Sequence, residues 1–377
     1  MITLRQIHPK NRKDVRDWIH LPYLIYQNGP MWVPPLMKDA RFQLDRERNP
    51  FYIYGHADFF IAEKDGVPAG RLAVLENRRL NNWRKERTAF FYLFETIESF
   101  DVAEALFDKA IAWARTRRLD RLVGPKGFLT IDPVGMLAQG FERFPAMGMP
   151  WNYPYYNEFM ERLGFAKETD YLSGMIPVDF PLPDRIFRIA EVAKKRYGYT
   201  TRTYHSKKEL VPVVKHVIDT YNRSFTQNWE FAPVSDSEAP VLAHKILSVI
   251  DDASLPQVVW KDDEAVGFLL AYPDINRAIQ QTRGRLWPTG WWRLMRAFKQ
   301  TNKIDLNGIG ILPEHRGRGV DAILIAALWQ AVHRSPRNYQ YAEVCQINEK
   351  NAVMQREMAA LGIPFDKRHR IYAKPIA

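Results

Sequence analysis

The chain has 377 residues, of which 46% are apolar and 26% charged, and its formal net charge is +11. At one domain per roughly 150 residues the length predicts two domains, and the composition excludes a chain disordered over most of its length. The positive balance favours anionic partners such as phosphates, nucleic acid or acidic lipid headgroups, while the single cysteine, Cys345, excludes an intramolecular disulfide or a cysteine-rich metal site.

The opening MITLRQIHPKNRKD carries charge within five residues and does not read as a secretory signal. The longest apolar run, Ala322 to Trp329, is far short of the about 20 residues that a membrane span needs. The expectation is a soluble, cytoplasmic protein.

In chain order, 2–7 reads as a strand, 11–25 as a helix and 36–46 as a short helix. A β-hairpin follows over 59–75, then a strand over 89–95 and a helix over 102–116. A strand at 121–123 opens a long loop marked by Gly124-Pro125, Asp132-Pro133 and Gly140-Phe141. A helix at 156–163 ends on Gly164, which suits a helix stop. Pro177, Pro181 and Pro183 crowd the stretch 176–184 and place a boundary there, dividing the chain into 1–180 and 185–377. The second part begins with helices at 208–221 and 237–250 and strands at 257–260 and 265–272. A Trp-rich irregular stretch, 283–303, leads to a strand at 304–312. A helix at 320–333, a strand at 341–347, a helix at 351–361 and a last strand near 370–374 complete the chain. The order in each part predicts an α/β fold: a mixed, mostly antiparallel sheet flanked by helices.

Two short patterns recur. The hairpin with Asp65 and Gly70 is matched by one with Asp262 and Gly267, and the helix stop Leu163-Gly164 by Leu361-Gly362. The glycine pairs are 197 and 198 positions apart, and agreement between independent anchors argues for duplicated domains.

The strongest local motif is Leu312-Pro-Glu-His-Arg316-Gly-Arg-Gly319-Val320, between a predicted strand and a predicted helix. Glycines 317 and 319 allow a tight turn with its N–H groups exposed, and the following helix adds unpaired N–H groups and the positive end of its dipole. A pyrophosphate suits such a place, with Arg316 and Arg318 adding charge; a plain basic turn capping a helix is the simpler alternative.

This stretch resembles the acyl-CoA loop of the GNAT N-acyltransferase superfamily, an Arg/Gln-x-x-Gly-x-Gly/Ala turn after a Val/Leu-x-Pro-Glu stretch, here shortened by one residue. The region Asn351 to Gly362 looks like the family's Asn-rich helix. The resemblance covers roughly 200–377 and implies an acyl-CoA-dependent transfer to an amine, with acetyl-CoA or another acyl-CoA as co-substrate. It implies that pantetheine pairs with Ile311 and Leu312, that the diphosphate rests on Arg316, Gly317, Arg318, Gly319 and Val320, and that Asn351 approaches the pantetheine. It also implies an oxyanion held by backbone N–H near Leu312. Asp305 stands where many members carry an acid and is the first candidate base, with Glu343 behind it. The family's usual Tyr acid is replaced by Met358, which leaves Tyr372 or a water to protonate the thiolate.

The first part resembles the same fold but has the acidic Ile97-Glu98-Ser99-Phe100-Asp101 where the loop would be, so it is expected not to hold the coenzyme. The whole resembles a tandem GNAT protein with a degenerate first half. Trp151, Tyr153, Tyr155 and Tyr156 are read either as an acceptor cleft or as core. Trp287 to Phe298 is read as an interfacial membrane helix, a lid or a buried insertion. No metal site is expected. Two further functions stay open: an acyl-CoA sensor without turnover, and nucleic-acid binding, which no motif supports.

Overall fold

The computed structural model describes all residues except Gln227, Leu361 and Ala377, and describes Val353, Glu357 and Ala360 by backbone alone. The first half runs β1 (Ile2–Gln6), α1 (Arg12–Ile25), α2 (Met37–Leu44), α3 (Phe51–Tyr54), β2 (Gly55–Lys64), β3 (Val67–Asn77), α4 (Arg78–Arg84), β4 (Thr88–Thr96), α5 (Phe100–Thr116), β5 (Arg121–Gly124), β6 (Met136–Gln139), α6 (Tyr155–Arg162) and β7 (Ala166–Pro177). The second runs α7 (Asp184–Tyr197), β8 (Tyr199–Thr201), α8 (Lys207–Ser224), α9 (Ala239–Val249), β9 (Gln257–Lys261), β10 (Glu264–Pro273), α10 (Asn276–Gln281), α11 (Gly290–Gln300) and β11 (Lys303–Ile311). A 3₁₀ turn at Pro313–His315 then precedes α12 (Val320–Arg334), β12 (Tyr341–Asn348), α13 (Ala352–Ala360) and β13 (Lys367–Pro375).

The thirteen strands form one mixed sheet, β1-β2-β3-β4-β5-β13-β7-β12-β11-β10-β9-β8, with β6 paired to β13. Two pairs are parallel, β4 with β5 and β11 with β12. The expected α/β architecture of a mostly antiparallel sheet flanked by helices is the observed one.

The recurring glycines do the same job in each half. A Cβ built on Gly70 would lie 2.8 Å from Val102 of α5, and one on Gly267 would lie 2.7 Å from Val320 of α12. Each glycine lets a helix settle directly on its sheet. The shared offset nevertheless hides two insertions. Thr88 and Lys303, which open β4 and β11, are 215 positions apart, whereas Tyr155 and Ala352, which open α6 and α13, are again 197 apart. The second half gains α10 and α11 before β11, and the first half gains the long loop between β5 and α6, so the two lengths cancel.

The last strand crosses between the halves. β13 pairs with β5 on one side and β7 on the other, and Ile371, Tyr372 and Ile376 join the apolar core of the first half. β7 in turn pairs with β12, so hydrogen bonding is continuous through the expected boundary.

Several elements are absent from the expected string, among them α3, α4, β6, β8 and α10, and three more bear on the site. β7 was hidden because it buries Thr169, Asp170 and Ser173, which break the apolar alternation. Asp170 is matched by Arg368 and Arg370 on β13. α7 begins directly after its capping residue Pro183, while Pro177 ends β7, so the crowded prolines lie at the junction of a strand and a helix. The Trp-rich stretch read as irregular contains α11, whose buried Leu294 and Phe298 stand one helical turn apart.

Candidate functional site

β11 and β12 pair in parallel only from Lys303–Tyr341 to Leu306–Val344, then diverge. Beyond that point β11 runs beside an open splay. On its other side it pairs with β10, with an irregularity between Leu269 and Ala271 opposite Gly308, where φ is 112°. Antiparallel hydrogen bonds alternate in direction. The Leu312 N–H donates to Val266 C=O at 3.0 Å, so the amides of Ile311 and Ile309 point the other way, into the splay. Of the two residues expected to pair with pantetheine, Ile311 therefore offers an amide. Leu312 does not: its N–H is spent on β10 and its carbonyl accepts from His315 N–H at 2.9 Å. Near Leu312, the amides turned away from β10 are therefore those of Ile309 and Ile311.

Gly317 and Gly319 both adopt the left-handed conformation, with φ of 69° and 80°. Gly319 caps α12, and the capping bond runs from Ile323 N–H to Gly319 C=O at 3.1 Å. The amides of Val320, Asp321 and Ala322 lie in the first turn, where a helix has no internal partners for them. The two arginines divide the work. Arg316 donates to the carbonyls of Ile311 at 3.3 Å and Ser224 at 2.6 Å, tying the turn to β11 and to the end of α8. Its charge is therefore partly committed to the fold. Arg318 is exposed over the ring of Tyr197, 5.6 Å from its centroid.

Sequence reasoning missed the wall of this site. α7 lies across the turn, so close that a Cβ on Gly319 would be 2.9 Å from that of Ala193. Between them is a cleft of ≈ 420 Å³ lined by Arg185, Arg188, Arg196 and Arg318 together with Gly317 and Gly319. The signal was the spacing of Arg185, Arg188 and Arg196 on one helix, which the proline cluster obscured.

The first half has the same splay, already filled. Register through the paired glycines makes Thr96 the counterpart of Ile311: Gly70 pairs with Thr96 and Gly267 with Ile311. The N–H of Thr96 donates to the Tyr156 hydroxyl at 2.9 Å, and its carbonyl accepts from Tyr155 at 2.7 Å and Tyr156 at 3.1 Å. Tyr26 donates to Tyr156 at 3.1 Å, and Trp151 and Tyr153 pack against Tyr26. The aromatic cluster is thus a plug in the first half. The residues 197 positions on from Tyr155 and Tyr156 are Ala352 and Val353, without aromatic rings.

Asp305 is fully buried. Its Oδ2 accepts from the Met147 N–H at 2.7 Å, and its Oδ1 lies 3.4 Å from Lys303 Nζ. Lys303 also reaches Asp274 at 2.8 Å and Glu343 at 2.6 Å, and Glu343 is bound by Lys367 as well. Three carboxylates thus share two ammonium groups. Burial and the Asp274 carboxylate push Asp305 well above the usual carboxylate range. Burial acts on Glu343 too, but Lys303 and Lys367 more than offset it and hold it low. The cluster pins the long loop of the first half to the second: Lys367 donates to Phe144 C=O at 2.9 Å, and Asn276 donates to Pro145 and Ala146 at 3.0 and 2.8 Å.

The remaining predicted residues are scattered. Asn351 caps α13, accepting from Met354 N–H at 3.1 Å. Met358 is buried against Ile347 and Ile363 and has no proton to give. Tyr372 is buried in the first half, donating to Asn157 at 2.8 Å, so it does not serve the second-half splay. Among the described residues no His, Cys, Asp and Glu cluster suits a metal ion.

Solved structures align over the whole chain. A tandem GNAT protein from the clavulanic acid biosynthesis pathway superposes with a TM-score of 0.58 at 14% identity, covering 100% of this chain and 99% of that one. The chain has the tandem GNAT fold. A GCN5-related N-acetyltransferase from Sphaerobacter thermophilus gives a TM-score of 0.50 at 15% identity, with 100% and 96% covered. By sequence, Protein YghO of Escherichia coli (strain K12) is 25% identical over 375 residues, 97% of this chain and 94% of that protein. A protein named bacterial ceramide synthase from Caulobacter vibrioides (strain NA1000 / CB15N) is also 25% identical, covering 99% and 98%. No protein-family model matches the chain. In this tandem GNAT fold the second half carries the glycine turn and the open splay, and the first half the tyrosine plug.

Proposed function

We propose that the protein is an acyl-CoA-dependent N-acyltransferase whose coenzyme site lies wholly in the second half. The observation that carries the reading is the contrast at one register position: Ile311 faces an open splay beside a glycine turn, while its counterpart Thr96 is sealed by two tyrosine hydroxyls. The residues fit the co-substrate. The first-turn amides of α12 and the guanidinium groups of Arg318, Arg185, Arg188 and Arg196 suit its phosphates, and the amides of Ile309 and Ile311 suit the pantetheine arm and the charge developing on the acyl oxygen. An amine attacks the acyl carbon directly. The C–N bond forms, the C–S bond breaks, the amine gives up a proton and the thiolate takes one. Asp305, sealed from solvent, acts by position, holding the Met147 loop against the second half.

The acceptor class we favour is a small amine with a long apolar chain. The support is the full-length likeness to a relative named for ceramide synthesis. Thiol release from acyl-CoA, measured with long-chain and short polar amines, tests the reading. Gly317→Glu, which sets a carboxylate in the turn, is expected to abolish release. Release that survives it overturns the site. A second reading, coenzyme binding without turnover, is favoured by the burial of Met358 in an apolar cluster. It gains if acetyl-CoA or palmitoyl-CoA binds but no amine triggers release.

A further inference from the structure

The insertion that distinguishes the second half is chemically one-sided. From Asn276 to Ile304 the chain has seven Lys and Arg residues and no Asp or Glu. Six of the seven, Arg277, Arg283, Arg285, Arg293, Arg296 and Lys299, are exposed. Within this stretch α11 buries Leu294 and Phe298, one turn apart, and Gly290 fits where a Cβ would overlap the Arg285 carbonyl. The opposite side is aromatic rather than polar. Trp291 and Met295, also one turn apart, are 54% and 47% exposed, Trp292 is 54% exposed, and Trp287 just before the helix is 83% exposed. The Arg296 guanidinium lies 5.7 Å from the Trp292 ring centroid.

An ordinary solvated helix shows polar residues on its outer side. Exposed tryptophan ringed by uncompensated arginine suits the headgroup layer of an anionic bilayer, where the indole takes the interface and the cations meet lipid phosphates. Among the described residues no helix is long and apolar enough to cross a membrane, so such a contact would be peripheral. Duplex nucleic acid would match the charge but would leave the apolar stripe of Trp291 and Met295 without a partner, and unpaired bases would stack on the indoles but leave Met295 uncovered.

Location adds a reason. α11 leads directly into β11 at Lys303, the end of the strand opposite the Arg316–Gly319 turn. Its buried residues share an apolar cluster with Tyr272 and Met147, and Tyr272 pairs with Asp305. A bilayer under α11 would therefore meet the molecule at the end of β11 away from the phosphate-binding turn.

We infer that α11 and the preceding Trp287 form a peripheral docking surface for an anionic lipid bilayer. The inference goes beyond the proposed catalysis and does not need it. It is tested by sedimenting the full chain with vesicles of phosphatidylcholine alone and of phosphatidylcholine mixed with phosphatidylglycerol. Binding is expected to the mixed vesicles and to weaken with salt. Trp291→Ser with Trp292→Ser should reduce it by at least about tenfold, and Arg293→Gln with Arg296→Gln by about fivefold per charge. Arg12→Gln with Lys13→Gln removes the same charge from exposed residues of α1 and should leave binding within about twofold. No binding to mixed vesicles, equal binding to both kinds, or equal loss in the Arg12 and Lys13 variant overturns the inference. Retention on DNA that is lost in the α11 variants, without vesicle binding, assigns the surface to nucleic acid instead. Thiol release with a soluble short-chain amine should be unchanged in these variants, so failure on vesicles leaves the coenzyme reading standing.

Discussion

Tyr156→Phe separates a structural plug from an ordinary core residue. The Tyr156 hydroxyl is buried and uses all its hydrogen-bonding capacity: it accepts from Thr96 N–H at 2.9 Å and Tyr26 at 3.1 Å and donates to Thr96 C=O at 3.1 Å. Phenylalanine keeps the ring and its packing against Phe94, whose centroid is 5.3 Å away. What is lost is the partner of a buried amide and of a buried Tyr26 hydroxyl. Each orphaned group costs about 1–3 kcal/mol, and Tyr26 recovers part of its share by rotating, which gives a loss of about 2–4 kcal/mol. Tyr155→Phe should cost less, under about 1 kcal/mol, because Thr96 C=O keeps its bond to Tyr156. Guanidinium denaturation with the m-value held fixed reads both. A Tyr156→Phe variant as stable as its parent would refute the argument that this hydroxyl replaces a strand or ligand at Thr96. Calorimetric titration with acetyl-CoA provides the functional arm: one site per chain is expected, and two would show the first-half splay to be open.

Two further outcomes follow from buried or crowded positions. Burial, and secondarily the nearby Lys367, push His369 down to about 4, against a bond to Pro150 C=O that acts the other way. The unfolded chain then binds a proton that the folded chain refuses between pH 6.5 and 4, so stability is fully present above pH 6.5 and falls by about 3 kcal/mol as pH drops through that window. Denaturation midpoints against pH should show this slope, and His369→Gln should flatten it; an unchanged slope assigns the titration elsewhere. At the glycine turn, Gly317→Ala meets open space and pays only for the left-handed backbone, about 1–2 kcal/mol. Gly319→Ala adds a Cβ 2.9 Å from Ala193, which should raise the loss by about 1–3 kcal/mol and weaken acetyl-CoA binding more. Equal effects in thermal unfolding and titration would show that α7 does not press on the turn.

Local signals were legible in the sequence, and signals that depend on the partner strand were not. The hairpins, the glycine turn and α12 could be read because their residues satisfy local rules: a turn, a left-handed glycine, an apolar stripe. β7 could not, since its buried Asp170 makes sense only beside Arg368 and Arg370, about 200 positions away. The surroundings of Asp305 were hidden on the same ground. A strand position next to a splay suggests a base, but the three residues that define its chemistry, Asp274, Lys303 and Glu343, come from β11 and two other stretches, and Met147 reaches it from the other half.

The repeat shows how far a correct inference can rest on an incomplete reason. The matching offsets argue for duplicated domains, yet they agree because an inserted helix pair in one half cancels an inserted loop in the other. Those two insertions meet. Asn276 of α10 holds Pro145 and Ala146 of the loop, and Met147 next to them joins the apolar cluster of α11. The segments that distinguish the two halves are therefore packed against each other beside β11, so each half has been altered where it touches the other. The loop that closes the second half onto the first belongs to the half whose own splay is filled by tyrosine.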